Sequence, residues 1–270
     1  MPGTGSSAGK LARLRDRIAR IETDHGGGMP DRVALGHGEA DAVLQGGLAQ
    51  GAVHEVFAEG RHSTAATGFI AGLAQRVGKD RPLLWVRQDF AARESGALSM
   101  RGWREIGLDP CLLVTVHAPD VESTLRTAAD ALACDALGAV VIEIWGETRL
   151  FDLVASRRLT LAARASGVTG LLLRVAASPL PSTAETRWIV RPARSPPGAA
   201  WQAWGAPMLE TRLVRNRHGQ TGQWIMEWKC DECLFRDVSF HDSETHPQPV
   251  AAAAADRPHP ARVIALRRAG

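Results

Sequence analysis

Five short runs rich in branched apolar residues recur along the middle of the chain: AVHEVFA (52–58), PLLWVRQ (82–88), CLLVTVHA (111–118), AVVIEIW (139–145) and GLLLRVA (170–176). Their hydrophobicity is nearly continuous rather than alternating, the pattern of strands covered on both faces. Helical stripes lie between them. Phe69, Ile70, Leu73, Ala74 and Val77 form one, and Val121, Leu125, Ala128, Ala129 and Leu132 form a second behind Asp120, a fitting N-cap. Leu150, Val154, Leu161 and Ala165 mark a third. Strand and helix alternating at roughly 30-residue spacing predicts an α/β fold with a mostly parallel sheet flanked by helices.

The ends read differently. KLARLRDRIARIE (10–22) sets Leu11, Leu14, Ile18 and Ile21 on one face of a short amphipathic helix, which TDHGGGMPD interrupts. After residue 176 a Pro- and Arg-rich stretch leads into MLETRLVRNRHGQTGQWIMEWK (208–229), two strands joined around His218 to Gly222 as a β-hairpin at the end of the sheet. From residue 242 little remains to bury, so a disordered tail is expected. The expected organisation is therefore 1–35 as tail and amphipathic helix, 36–241 as the core domain and 242–270 as tail. Four cysteines form no disulfide framework, and no apolar leader or membrane-length run is present, which predicts a cytoplasmic protein without membrane contact. The net charge of +3 is mild, but 29 arginines against three lysines fit either coding bias or phosphate contact.

EVFAEGRHSTAATGFIAGLAQ (55–75) passes from strand to helix through a turn bearing glycine and hydroxyls, the layout of the phosphate-binding motif G-x-x-x-x-G-K-[ST]. Counted from Gly60, Ala65 replaces the second glycine, Ala66 the lysine, and only Thr67 fits. Counted from Ala58, the lysine position is Thr64. Neither frame holds a lysine. An ammonium about 4 Å from a phosphate charge contributes roughly 4 kcal/mol at an effective dielectric near 20, so its loss costs on the order of a thousandfold. Glu59 adds negative charge at the loop mouth, and Arg61 is placed on the loop to compensate in part.

The order of segments resembles the RecA core from about residue 11 to 240. The lead-in Leu44, Gly46, Gly47, Leu48, Gly51 and Glu55, the hairpin LVRNRHGQTGQWIMEW with its basic first strand, STAETRW and the decayed loop are together most similar to the ImuA family. That resemblance implies a RecA-like core and a non-catalytic accessory role in SOS-induced, error-prone translesion DNA synthesis. The implied partners are an ImuB-like protein and a DnaE-type polymerase, with RecA, single-stranded DNA and self-association as further candidates and no cofactor. It places a degenerate nucleotide site at Gly60, Arg61, Ser63, Thr64 and Thr67, with Glu143 at the Mg²⁺-holding acid and Asp89 near the water-activating acid. Two rivals stand beside it: a RecA-type DNA-dependent ATPase, and a regulatory binder similar to SulA.

Arg187, Trp188 and Arg194 interleave cation and aromatic, and Arg212, Arg215 and Arg217 form a basic row along the hairpin, with Leu213 expected inward. These six are candidate DNA or partner contacts; for Trp188, a core position on a strand is the equal alternative. Cys230 and Cys233 form a CxxC, with His241 and His246 following, but the spacing and context favour a chance pair at a strand end over metal or redox chemistry. Cys111 and Cys134 are expected in the core.

Overall fold

The computed structural model describes residues 31–195 and 206–238. The amphipathic segment 10–22 and the tail from 242 lie outside the described residues, as do Trp201 and Trp204, two further aromatics that follow Arg194 in sequence. Among the described residues no helix is long and apolar enough to cross a membrane.

A short lead-in opens the fold. β1 (Arg32–Val33) pairs antiparallel with β2 (Leu48–Ala49), and α1 (Gly38–Val43) lies between them. The Asp41 carboxylate accepts from the Leu35 and Gly36 N–H groups. Gly47, at φ +122°, stands where a Cβ would collide with the Val33 backbone, so the glycine pair lets the two strands close. Leu35 is fully buried, so the packed body already includes residues ahead of position 36.

The main sheet is then built from β3 (Val53–Ala58), α2 (Ser63–Gly78), β4 (Leu83–Gln88), α3 (Asp89–Ser95), α4 (Met100–Glu105), β5 (Leu113–Ala118), α5 (Val121–Leu132), β6 (Ala139–Trp145), α6 (Leu153–Ser166) and β7 (Thr169–Val175). β8 (Thr186–Pro192), β9 (Met208–Asn216), β10 (Gly222–Lys229) and β11 (Leu234–Asp237) complete it. The nine strands run in the order β11-β10-β9-β8-β3-β7-β6-β4-β5. From β8 to β5 all pairs are parallel, whereas β9, β10 and β11 extend the edge antiparallel. This is a mixed α/β fold with a RecA-like core.

Burial explains the continuous apolar runs: β3 and β7 are enclosed at every position, and β6 at all but Trp145. One core lies under α2, where Phe69, Ile70 and Leu73 meet Trp85, Trp188, Trp228 and Phe235; α5 and α6 cover the other face over Val140, Ile142 and Leu172. α2 approaches closely because a Cβ on Gly72 would fall 2.7 Å from Trp228 Cζ3 and 2.8 Å from Phe235 Cζ. Asp120 caps α5 by accepting from the Ser123 N–H at 2.7 Å. His54 ties β3 to its neighbours, within 2.8 Å of both Thr186 Oγ1 and the Ala49 carbonyl; burial pushes its pKa down to about 4.

Three expectations are corrected. β5 is an edge strand, with Val114, Thr115 and His117 exposed, because no strand covers its outer side. The stripe of α6 faces away from the sheet: Leu150, Val154, Leu161 and Ala165 are exposed, while Ser156, Leu159, Thr160 and Ala163 point inward. Cys111 and Cys134 are exposed rather than in the core, Cys111 in the 3₁₀ turn Pro110–Leu112 ahead of β5 and Cys134 in the connection after α5.

Candidate functional site

β3 ends at Ala58, and α2 starts at Ser63 after a single 3₁₀ turn, Gly60–His62. A phosphate loop sits between strand and helix, so the frame counted from Ala58 fits. Counting from Gly60 would place Ser63 to Thr67 inside the helix. In the fitting frame Ser63 takes the second glycine position, Thr64 the lysine position and Ala65 the metal-binding hydroxyl position. The alignment of Thr67 with that hydroxyl is therefore corrected. Ala66, the lysine position in the other frame, is fully buried in the core under α2.

The junction is closed by side chains of its own. Glu59 accepts from Arg61 Nη2 at 2.6 Å and from Arg191 Nη2 at 3.1 Å, so Arg61, the one candidate replacement for the lysine, is already paired. Trp145 leans over the turn: a Cβ on Gly60 would stand 3.5 Å from Trp145 Cζ2. α2 begins without a side-chain cap, His62 offering none.

Glu143 lies next to last-but-one in β6 and is 2% exposed. The register sets it beside Arg87 of β4. Its Oε1 accepts from Arg87 Nη2 at 2.9 Å, and its Oε2 accepts from Trp85 Nε1 at 2.8 Å. Arg87, also 2% exposed, reaches on to the Gly96 carbonyl and Ser95 Oγ, fastening the end of α3. Both oxygens of the supposed metal-holding acid are thus engaged in a buried, hydrogen-bonded ion pair. Asp89, at the start of α3, stands 3.8 Å from His117 Nδ1 on β5. β4 is separated from β3 by β7 and β6, so Asp89 follows a strand three spacings, on the order of 14 Å, from the one that leads into the loop. Among the described residues no cluster of His, Cys, Asp and Glu has the make-up of a metal site.

A cavity of about 550 Å³ opens at this junction, lined in part by the turn itself. Arg61 and His62 reach it from the 3₁₀ turn and Thr64 and Thr67 from α2, but most of its wall is apolar, from Ala65, Leu98, Trp103, Ile106, Met208, Leu209 and Trp228. Such a lining suits apolar contact far better than a triphosphate.

The basic and aromatic candidates separate. Trp188 is fully buried and donates to Thr186 Oγ1 at 3.0 Å, so the core alternative describes it and a stacking platform does not. Arg187 is nearly enclosed: it donates to Glu55 Oε2 at 2.7 Å and Ser182 Oγ at 3.1 Å and lies over the Phe57 ring. Arg215 donates to the Ser182 carbonyl at 2.8 Å. Arg194, Arg212 and Arg217 are exposed, and Leu213 is inward as expected. Of the six candidate contacts, three are therefore exposed, Arg194 in the loop after β8, Arg212 on β9 and Arg217 just beyond it. Cys230 and Cys233 sit in the turn between β10 and β11, where burial pushes both thiols up; Cys233 Sγ donates to the Gly107 carbonyl at 3.2 Å.

Sequence reading missed Arg87, Trp85 and Trp145. The signal for the first was present: an arginine inside PLLWVRQ needs a buried counter-charge, and Glu143 is the acid inside AVVIEIW.

No family model matches the chain. Over 199 residues, 67% of this chain and 77% of the relative, it is 31% identical to Protein ImuA of Caulobacter vibrioides, in each of two strains. With the strand order, the lead-in and the closed loop described above, that similarity assigns the chain to the ImuA family.

Proposed function

We infer that the chain is a non-catalytic, RecA-like accessory protein of damage-induced, error-prone translesion synthesis. It acts by contact with an ImuB-type protein and a DnaE-type polymerase, and its exposed arginines serve single-stranded DNA or RecA. Family membership supports the pathway. The non-catalytic part rests on one observation above all: Glu143 is committed on both oxygens to Trp85 and Arg87, in a fold whose lysine position is Thr64. Phosphoryl transfer needs a cation on the β/γ-phosphates and a carboxylate free to hold Mg²⁺. Here the cation is missing and the carboxylate is neutralised by a neighbouring strand. What such a fold retains is a rigid sheet with exposed helical and edge surfaces for protein contacts.

The test is co-purification of the full chain with the ImuB-type protein of the same organism at micromolar concentrations. The reading expects a stable complex that forms equally with and without ATP. No complex with either the ImuB-type protein or the polymerase removes the proposed role.

A further inference from the structure

The two edges of the main sheet are built differently. An edge strand turns the N–H and C=O groups of alternate residues outward, where they can template a further strand. Natural edges are kept short, charged or covered for that reason. β11 is all three. It has four residues, carries Arg236 and Asp237, and its Phe235 N–H is taken by the Leu35 carbonyl of the lead-in, with His37 Nε2 2.7 Å from Asp237 Oδ1.

β5, at the far edge, has none of these guards. It runs six residues, LVTVHA, without Lys, Arg, Asp, Glu or Pro. Its ladder to β4 is continuous from Leu113 to Ala118, so no bulge twists it away. Val114 is 48% exposed, and Thr115 and His117 are exposed on the opposite side of the strand. Among the described residues no strand lies beyond it. A row of outward backbone groups is matched by another extended backbone, so the occupant is a strand.

Charge decides whose strand. On a chain of net charge +3, this edge is flanked by acids. Asp109 stands ahead of β5 and Asp120 behind it, both exposed, their carboxylates accepting from the backbone N–H groups of Cys111 and Ser123. Asp89 adds a third acid, 3.8 Å from His117 Nδ1. Two β5 edges joined by a two-fold axis run antiparallel, and would set the Asp109 end of one copy against the Asp120 end of the other, like charge to like. Nucleic acid meets the same repulsion. A strand with lysine or arginine at both ends finds an acid at each.

We propose that the free edge of β5 receives an extended apolar segment, basic at both ends, from a different protein. The proposal rests on the reading of the chain as a platform for protein contacts, and it names the surface used.

The test selects random peptides of about 12 residues, twice the length of β5, on the full chain. Val114→Pro and Thr115→Pro provide the counter-selection. Because outward N–H groups alternate, one proline removes an outward N–H and the other a bond to β4, and the higher melting temperature identifies the first. Should both melt well below the parent, Thr115→Lys, a guard of the kind natural edges carry, takes their place. A further variant, Asp109→Asn with Asp120→Asn, removes the charge and keeps both caps. The expected peptides have β-branched or apolar centres and Lys or Arg at both ends. They should bind the edge-blocked variant about tenfold more weakly, the equivalent of one lost backbone hydrogen bond, and lose their salt dependence on the Asn variant. Hydrogen exchange within 113–118 should slow on binding. No enrichment over the edge-blocked variant, selection of acidic or helix-periodic peptides, or unchanged exchange in β5 would overturn the proposal. Dimerisation of the parent that the edge-blocked variant abolishes would also overturn it and give the edge to a second copy. The library presupposes no partner, so its failure and the failure of the complex with the ImuB-type protein are read separately.

Discussion

Glu143→Gln separates a structural carboxylate from a catalytic one. The amide can still accept from Trp85 Nε1 but no longer neutralises Arg87, which is left charged at 2% exposure. Removing one partner of a buried, hydrogen-bonded ion pair costs about 3–5 kcal/mol. For a domain of this size that corresponds to a melting temperature lower by about 6–20 °C. Arg87→Met should cost a similar amount, since it strands Glu143 and releases the Gly96 carbonyl and Ser95 Oγ. The double variant removes both charges and should recover much of the loss, because apolar replacement of a whole buried pair is often close to neutral. Urea unfolding of the four proteins closes a double-mutant cycle, with an expected coupling of about 2–3 kcal/mol. If Glu143→Gln melts within a degree of the parent, or the two substitutions simply add, then Glu143 is not held by Arg87 and the case against metal binding there fails.

Other substitutions probe the rest of the account. Ala66→Lys should destabilise by more than about 3 kcal/mol, because it drives an ammonium into the core under α2, whereas Thr64→Lys, at an exposed site, should melt like the parent; circular dichroism melts distinguish them. Gly72→Ala should cost about 1–3 kcal/mol through its clash with Trp228 and Phe235, read by urea midpoint. His54 is held neutral by burial, with its pKa lowered from 6.5 to about 4. The unfolded chain therefore binds a proton that the folded one refuses as pH falls from 6.5 towards 4, and stability is lost across that window, by about 3 kcal/mol at its lower end. Comparing His54→Gln with the parent over that range should show the variant's stability falling less with acid; parallel pH profiles would refute the assignment.

How much was legible beforehand depended on whether local pattern or long-range register decided each feature. The runs from AVHEVFA to GLLLRVA became strands within about two residues because short runs rich in branched apolar residues suit a sheet, although the same pattern did not show that β5 is an exposed edge. Asp120 was readable as a cap because capping is a contact between residues three apart. The loop frame was not readable, since alanine and threonine fit either count, and only the start of α2 at Ser63 decides. The Arg87–Glu143 pair belongs to strands 56 residues apart in sequence, so it depends on register that no local pattern carries. α6 misled for the opposite reason: its spacing was correctly seen, but Leu150, Val154 and Leu161 are exposed, and apolar spacing alone does not say which side is the core. Trp188 was undecidable for a related reason, because a tryptophan among arginines reads the same whether the ring stacks outward or fills the sheet interior.

The central claim is that this fold keeps the sheet and helix of a nucleotide site while lacking the means to grip phosphate. Calorimetric titration of Mg-ATP into the purified full chain measures that directly. Loss of about 4 kcal/mol moves a micromolar site to the millimolar range, so no saturable heat is expected at tens to hundreds of micromolar nucleotide. A saturating isotherm with micromolar Kd would contradict the account and return the chain to the ATP-driven enzymes.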